Sequence, residues 1–232
     1  SSDVCSSDLG WVQVLSAREI IVRTYLSDST WTHPAGLKFV EVEAWGGGGS
    51  GAVVVDTTQR NVSGGAGGGY SKRRIFPDQM DSSPVTITIG KGGASVTWTN
   101  QGNLEGVRGG DTTFGRYLTA YGGGGGCSPG NSDNCGINGA GSPPDGSLGG
   151  GVYNHLEGDA GNSVFGGGAS SCLRSGGSSF MGGGGGGGCR TTLASGQGGG
   201  ASVGGGSGGG SARSTSSATG EDGTMPSGGG GA

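Results

Sequence analysis

Between residues 37 and 45 the chain alternates, with Val40, Val42 and Ala44 interleaved with Glu41 and Glu43. That period of two turns one face of a β-strand inward and the other toward water. The alternation stops at the glycines of 46–49. Residues 85–89 repeat the scheme: Val85, Ile87 and Ile89 share one face, Thr86 and Thr88 the other, and the glycine-rich 90–93 ends the run. Shorter windows of the same kind, 19–26, 70–76, 96–99 and 112–121, are bounded by Gly, Pro, Asn or Asp and are read as further strands. No window repeats apolar positions every 3.6 residues, so a mainly β fold with little or no α-helix is expected.

Beyond residue 121 the patterning gives way to glycine runs at 122–126, 149–151, 166–168, 182–188, 198–200, 204–206 and 208–210, separated by polar inserts. Glycine supplies 63 of 232 residues, against about 7% in ordinary chains, and the absence of a Gly-X-Y period excludes collagen. Of the 37 Leu, Ile, Val and Phe residues, 27 lie in 1–121 and 10 in 122–232. The first half can therefore bury a small core and the second cannot. Two states are open to the second half. One is random coil, because ordering glycine costs the most backbone entropy. The other is a bundle of polyproline-II helices with three residues per turn and about 3.1 Å per residue, whose N–H and C=O groups pair between helices. By that geometry 182–188 would span about 22 Å. The glycines up to 126 are read as turns between strands, with positive φ expected at Gly92 and Gly93; those after it are the helix-forming runs.

A net charge of -4 gives neither a basic footprint for nucleic acid nor an acidic tail. There is no apolar run of 18 residues to insert into a membrane and no secretory-signal layout. The opening 1–9, with Cys5, reads as a sequencing-adapter scar; 10–28 are a lead-in, 29–126 a glycine-rich β domain, and 127–232 a polyglycine-helix and loop region cut short at its C-terminus.

Motifs in fixed order carry a resemblance. Residues 30–36 (TWTHPAG) precede the first alternating strand and its glycines; then come 64–70 (GGAGGGY), 85–93 (VTITIGKGG), 109–115 (GGDTTFG) and 120–126 (AYGGGGG). This order resembles the glycine-rich domain of bacteriophage tail fibre and minor tail proteins. The later glycine runs are similar in composition to tail-tip adhesins that pack polyglycine helices into a sandwich and present loops at its tip. The resemblance implies a small antiparallel β-sandwich-like module followed by packed polyproline-II helices and loops. It also implies a virion component that attaches to the host outside the cell, partnered by a bacterial surface receptor and by other tail-fibre subunits, with a homo-oligomer among the arrangements it allows. The reading from another class is a glycine-rich surface or matrix protein without a specific ligand.

Within that frame Trp31 and Pro34 seat the chain ahead of the first long strand, and Phe114 is an apolar plug beneath a glycine turn. The inserts 127–148, 152–165, 169–181 and 189–197 become loops on a scaffold, where recognition usually sits. Receptor-binding candidates are Tyr153, His155, Arg174, Phe180 and Arg190, while Phe165, Phe180 and Met181 also suit small apolar closures. Cys127, Cys135, Cys172 and Cys189 allow three disulfide pairings, suited to an extracellular particle. No C-x2-C pair exists and the two histidines, His33 and His155, lie far apart, so no metal site is expected. Lys91 lacks the Ser or Thr of a phosphate loop, and no Ser, His and Asp motif is present; no catalysis and no cofactor are expected. Lys72, Arg73 and Arg74 read as a solvated strand edge that resists aggregation.

Overall fold

The computed structural model describes residues 20–52, 61–62, 64–81, 84–96, 105–126, 176–187, 189–190, 206, 223–224 and 228. These form a mainly β protein whose strands are β1 (Ser29–Trp31), β2 (Val40–Trp45), β3 (Asn61–Val62), β4 (Tyr70–Ile75), β5 (Val85–Thr88), β6 (Thr112–Phe114), β7 (Leu118–Ala120) and β8 (Cys189–Arg190). A 3-10 turn at Pro77–Gln79 is the one element of α or 3-10 type among the described residues. One sheet has the order β1-β5-β6-β7, a second pairs β2 with β4, and a third pairs β3 with β8, all antiparallel.

The alternating sequence dictates how the first two sheets meet. In β2 the Glu41 and Glu43 side chains face water while Ala44 is buried, and in β5 Val85 and Ile87 are buried between exposed threonines. Their inner faces close on Trp31, Ala44, Ile75, Val85, Ile87, Phe114, Tyr117, Leu118 and Ala120. Trp31 and Phe114 pack with ring centroids 5.5 Å apart. Pro34 opens a tight turn in which the Leu37 N–H donates to the Pro34 carbonyl at 3.2 Å, and Gly36 takes a φ of 77° at the position where such a turn requires it.

The strand expectations at 37–45, 70–76 and 85–89 correspond to β2, β4 and β5. Three others change. Residues 112–121 hold two strands, because Gly115 at φ 50° folds the segment into the β6–β7 hairpin. The described part of 19–26 forms no strand; Ile20, Ile21, Val22 and Leu26 are exposed, so β propensity there meets no partner among the described residues. Of 96–99, Val96 is in no strand and the rest lie outside the described residues. Nor do Gly92 and Gly93 adopt positive φ, which among the described glycines occurs at Gly36 and Gly115.

The reason is that, apart from Gly36 and Gly115, the described glycines up to residue 126 are not turns. They form extended helices, named here PG1 (46–51), PG2 (64–69), PG3 (90–93), PG4 (106–110), PG5 (121–126) and PG6 (182–187). Gly46 and Gly49 donate to the carbonyls of Gly69 and Ala66 on PG2, and Gly47 and Ser50 donate to Gly110 and Val107 on PG4. PG5 returns two bonds to PG1, from Gly123 to Gly47 and from Gly126 to Ser50, each 2.8 Å. Between each such pair of helices the donors repeat every third residue. A β-ladder repeats every second, so these are three-residue-per-turn helices in the polyproline-II manner. PG1 has PG2, PG3, PG4 and PG5 as hydrogen-bonded neighbours, and PG6 joins through Gly183 to Gly68 and Gly186 to Gly65.

Close approach explains the composition. A Cβ on Gly47, Gly49, Gly68, Gly109, Gly122 or Gly123 would stand under 3.0 Å from a backbone carbonyl of a neighbouring helix. At Ala66, three residues before Gly69, a methyl group fits and is fully buried, which gives residues 64–69 their single non-glycine. Backbone pairing stabilises this half, and apolar burial stabilises the sandwich.

Candidate functional site

The register of the lattice fixes which way each helix runs. PG1 follows β2, PG3 follows β5 and PG5 follows β7, so all three leave the sandwich; PG2 and PG4 lead back into β4 and β6. Gly46, Gly69 and Tyr121 lie level at the sandwich end, while Ser50, Gly106 and Gly126 lie level at the far end. PG6 runs outward as well, since Gly183 meets Gly68 and Gly186 meets Gly65. The chain therefore departs from or rejoins the far end at residues 52, 61, 96, 105, 126, 176 and 190. Segments 53–60, 97–104, 127–175 and 191–205 all begin there. The β3–β8 pair, with Asn61 opposite Arg190 and Val62 opposite Cys189, lies at this end too.

The built part of this end is mostly backbone. The Ser50 hydroxyl accepts the Val107 N–H at 2.8 Å, replacing a carbonyl in the lattice with a side chain. An exposed flank with Ser95, Ala94, Val107, Arg108 and Lys91 runs from this end back toward the sandwich, where Arg108 pairs with Asp111. Asp111 in turn accepts the Gly122 N–H at 2.8 Å. No group of three or more metal-ligating side chains occurs among the described residues.

Of the receptor-binding candidates, Tyr153, His155 and Arg174 lie outside the described residues, as do Cys127, Cys135, Cys172 and Phe165. Phe180 is 55% exposed. Arg190 is at the far end in β8. The segment 176–187 lies along PG2 and has its turn at the sandwich end, which separates Phe180 from Arg190.

The basic triplet is not a simple solvated edge. Lys72 bridges Glu41 and Glu43, each at 2.8 Å, and Arg74 reaches Glu41 at 3.0 Å. Lys72 and Arg74 hold the Glu41 carboxyl below its ordinary range, and both glutamates push the Lys72 ammonium upward. Arg73 points to the inner side and donates to the Tyr117 carbonyl at 2.7 Å. Arg74 also lies 4.5 Å over the exposed Phe39 ring, which packs edge-on to Phe76 at 6.3 Å. Sequence reading did not single out Trp45. Its indole N–H donates to the Met181 carbonyl at 2.6 Å across 136 residues, and its ring packs on Tyr70 at 5.2 Å. An aromatic residue directly before a glycine run was the available signal. Burial, then the nearby Glu43, pushes the Tyr70 hydroxyl up to about 12.

The family described as a glycine-rich domain matches residues 23–232. No curated protein matches the chain.

Proposed function

The chain belongs to the glycine-rich domain family, and from that premise we propose that it is a structural and receptor-binding piece of a bacteriophage tail fibre, acting by attachment and not by catalysis. The observation that carries this reading is that the described chain leaves or rejoins a backbone-bonded lattice at one end, at residues 52, 61, 96, 105, 126, 176 and 190. A lattice whose interior admits no large side chain leaves those to its tip, and loops on a rigid scaffold are where recognition concentrates. The partner is a bacterial surface receptor. Other tail-fibre subunits meet the chain elsewhere, and the working location is the virion outside the cell. Tyr153, His155 and Arg174 in segment 127–175, with Arg190 at the lattice end, are the proposed contacts. Phe180 is set aside because the turn that bears it lies at the sandwich end.

Deleting everything after residue 121 would remove PG5 and PG6 and so dismantle the scaffold. The appropriate comparison is the intact chain against one in which 127–175 is replaced by a short Gly-Ser linker, measured by binding to host cells. The proposal predicts loss of cell binding with an unchanged melting transition. Equal binding by both chains refutes it, and a folded intact chain that binds no bacterial surface favours the reading as a structural protein without a ligand.

A further inference from the structure

Side-chain size is unevenly shared among the glycine helices. PG1, PG2 and PG6 hold nothing larger than the Ser50 and Ala66 side chains and are buried along their whole length. PG5 is pure glycine beyond Tyr121 at its root. The other long side chains are Lys91 on PG3 and Val107 and Arg108 on PG4, and all three stand in water, Val107 being 45% exposed. Arg108 is fixed over this flank by Asp111, which also accepts the Gly122 N–H. The backbone beneath has bonding capacity left over. PG3 directs the Gly93 N–H to Gly48 and the Lys91 carbonyl to Gly110, whereas the N–H groups of Lys91, Gly92, Ala94 and Ser95 have no partner among the described residues. A Cβ at Gly92 would meet nothing nearer than 3.8 Å, so this side opens on water.

We propose that the PG3–PG4 flank is a guarded edge: its open N–H groups are competent to bond a glycine helix of a second copy of this chain, and Lys91, Val107 and Arg108 hold that copy away. Direction is no obstacle to such bonding, because PG1 already bonds to PG2 running against it and to PG5 running with it. The obstacle is distance. Where glycine helices touch, a single Cβ on Gly47, Gly49 or Gly109 would stand under 3.0 Å from a neighbouring carbonyl, so a lysine, valine or arginine at the contact keeps a further helix out of bonding range. The pairing at stake is flank to flank about a two-fold axis: PG1, PG2 and PG6 of the second copy are buried, and PG3 is the exposed glycine helix it offers. An edge strand poses the same hazard and is blunted in the same way, by lysine set over unpaired backbone. The guard is independent of any receptor.

Sedimentation velocity and amide exchange on the full chain test this together. With Lys91→Gly, Val107→Gly and Arg108→Gly combined, dimers are expected whose fraction rises with concentration, beyond any association of the unmodified chain at the same concentration. The Gly92 and Ser95 amides should then slow about 5- to 10-fold, the worth of one net hydrogen bond. Lys91→Gln with Arg108→Gln keeps the length of both side chains and removes their charge; it should sediment as the unmodified chain does. Protection of the β5 amides reports that each variant is folded. A folded triple variant without added association overturns the proposal. Should the triple variant not fold, Lys91→Gly alone, which leaves PG4 intact, carries the test, and its failure to associate overturns the proposal equally. Association of the glutamine variant to the same extent also overturns it, because the effect would then trace to lost charge and not to an opened edge.

Discussion

Replacing Gly123 by alanine adds one methyl group at the centre of the lattice. The new Cβ would stand under 3.0 Å from the carbonyl oxygens of Ala66 and Gly67, which are backbone and cannot swing aside. PG5 and PG2 must separate, weakening the bonds from Ala66 to Gly124 and from Gly69 to Tyr121, each 2.9 Å, and straining that from Gly123 to Gly47. Two or three backbone bonds at about 0.5–1.5 kcal/mol each, with a further penalty of about 1–3 kcal/mol for any group left buried and unpaired, give a loss of about 3–5 kcal/mol. The smaller entropy of the unfolded alanine chain returns only about 0.4–1 kcal/mol. For a chain of this length the net change lowers Tm by about 5–15 °C. Gly92 is the control: the nearest atom to a Cβ there is 3.8 Å away, and its φ is not positive. Gly92→Ala should therefore hold or slightly raise Tm. Circular dichroism melts of the three proteins check this. Equal melts for Gly123→Ala and Gly92→Ala would refute the reasoning, because they would mean that the helices are not packed at this distance.

Three other outcomes follow from the sandwich. Tyr70 has its folded pKa raised from 10.0 to about 12, so the protonated form is the one the fold prefers; stability is complete below pH 10 and falls as pH rises through 12. Tyr70→Phe should flatten that alkaline loss in denaturant titrations at pH 9 to 12. Leu118→Ala removes a core side chain that is 2% exposed and should cost about 2–5 kcal/mol in urea unfolding. Gly36→Ala meets open space and should cost only the strain of its positive φ, about 1 kcal/mol, whereas Gly115→Ala also meets the Val85 side chain and should cost more.

The sandwich was legible because its signals are local. Alternation in β2 and β5, and the tight turn at Pro34, are fixed by neighbours a few residues apart. The lattice was legible at 182–188, which holds PG6, and missed before residue 122, where its helices were read as turns. Residues 46–49 and 90–93 look like turns because a turn glycine and a packing glycine are the same residue, and only the partners, some 20 to 75 positions away, distinguish them. Ala66 was the one internal clue: a lone methyl within 64–69 marks a three-residue face with room for a side chain. The unpaired lead-in at 20–26 failed for the opposite reason, since Ile and Val favour strands wherever a partner strand exists, and no described segment supplies one. Of the far end, the sequence named the segments but could not show that they share an end, because that depends on helix direction.

PG1 to PG5 are an ordered extension of the sandwich and not coil attached to it. Site-resolved amide exchange at neutral pH tests this most directly, read at Gly47, Gly49, Gly109, Gly123 and Gly126. Protection at these donors is expected to be comparable to that of β5 and to be lost together with the sandwich in one cooperative transition. Exchange at the rate of an unstructured glycine peptide, with β5 still protected, would contradict it.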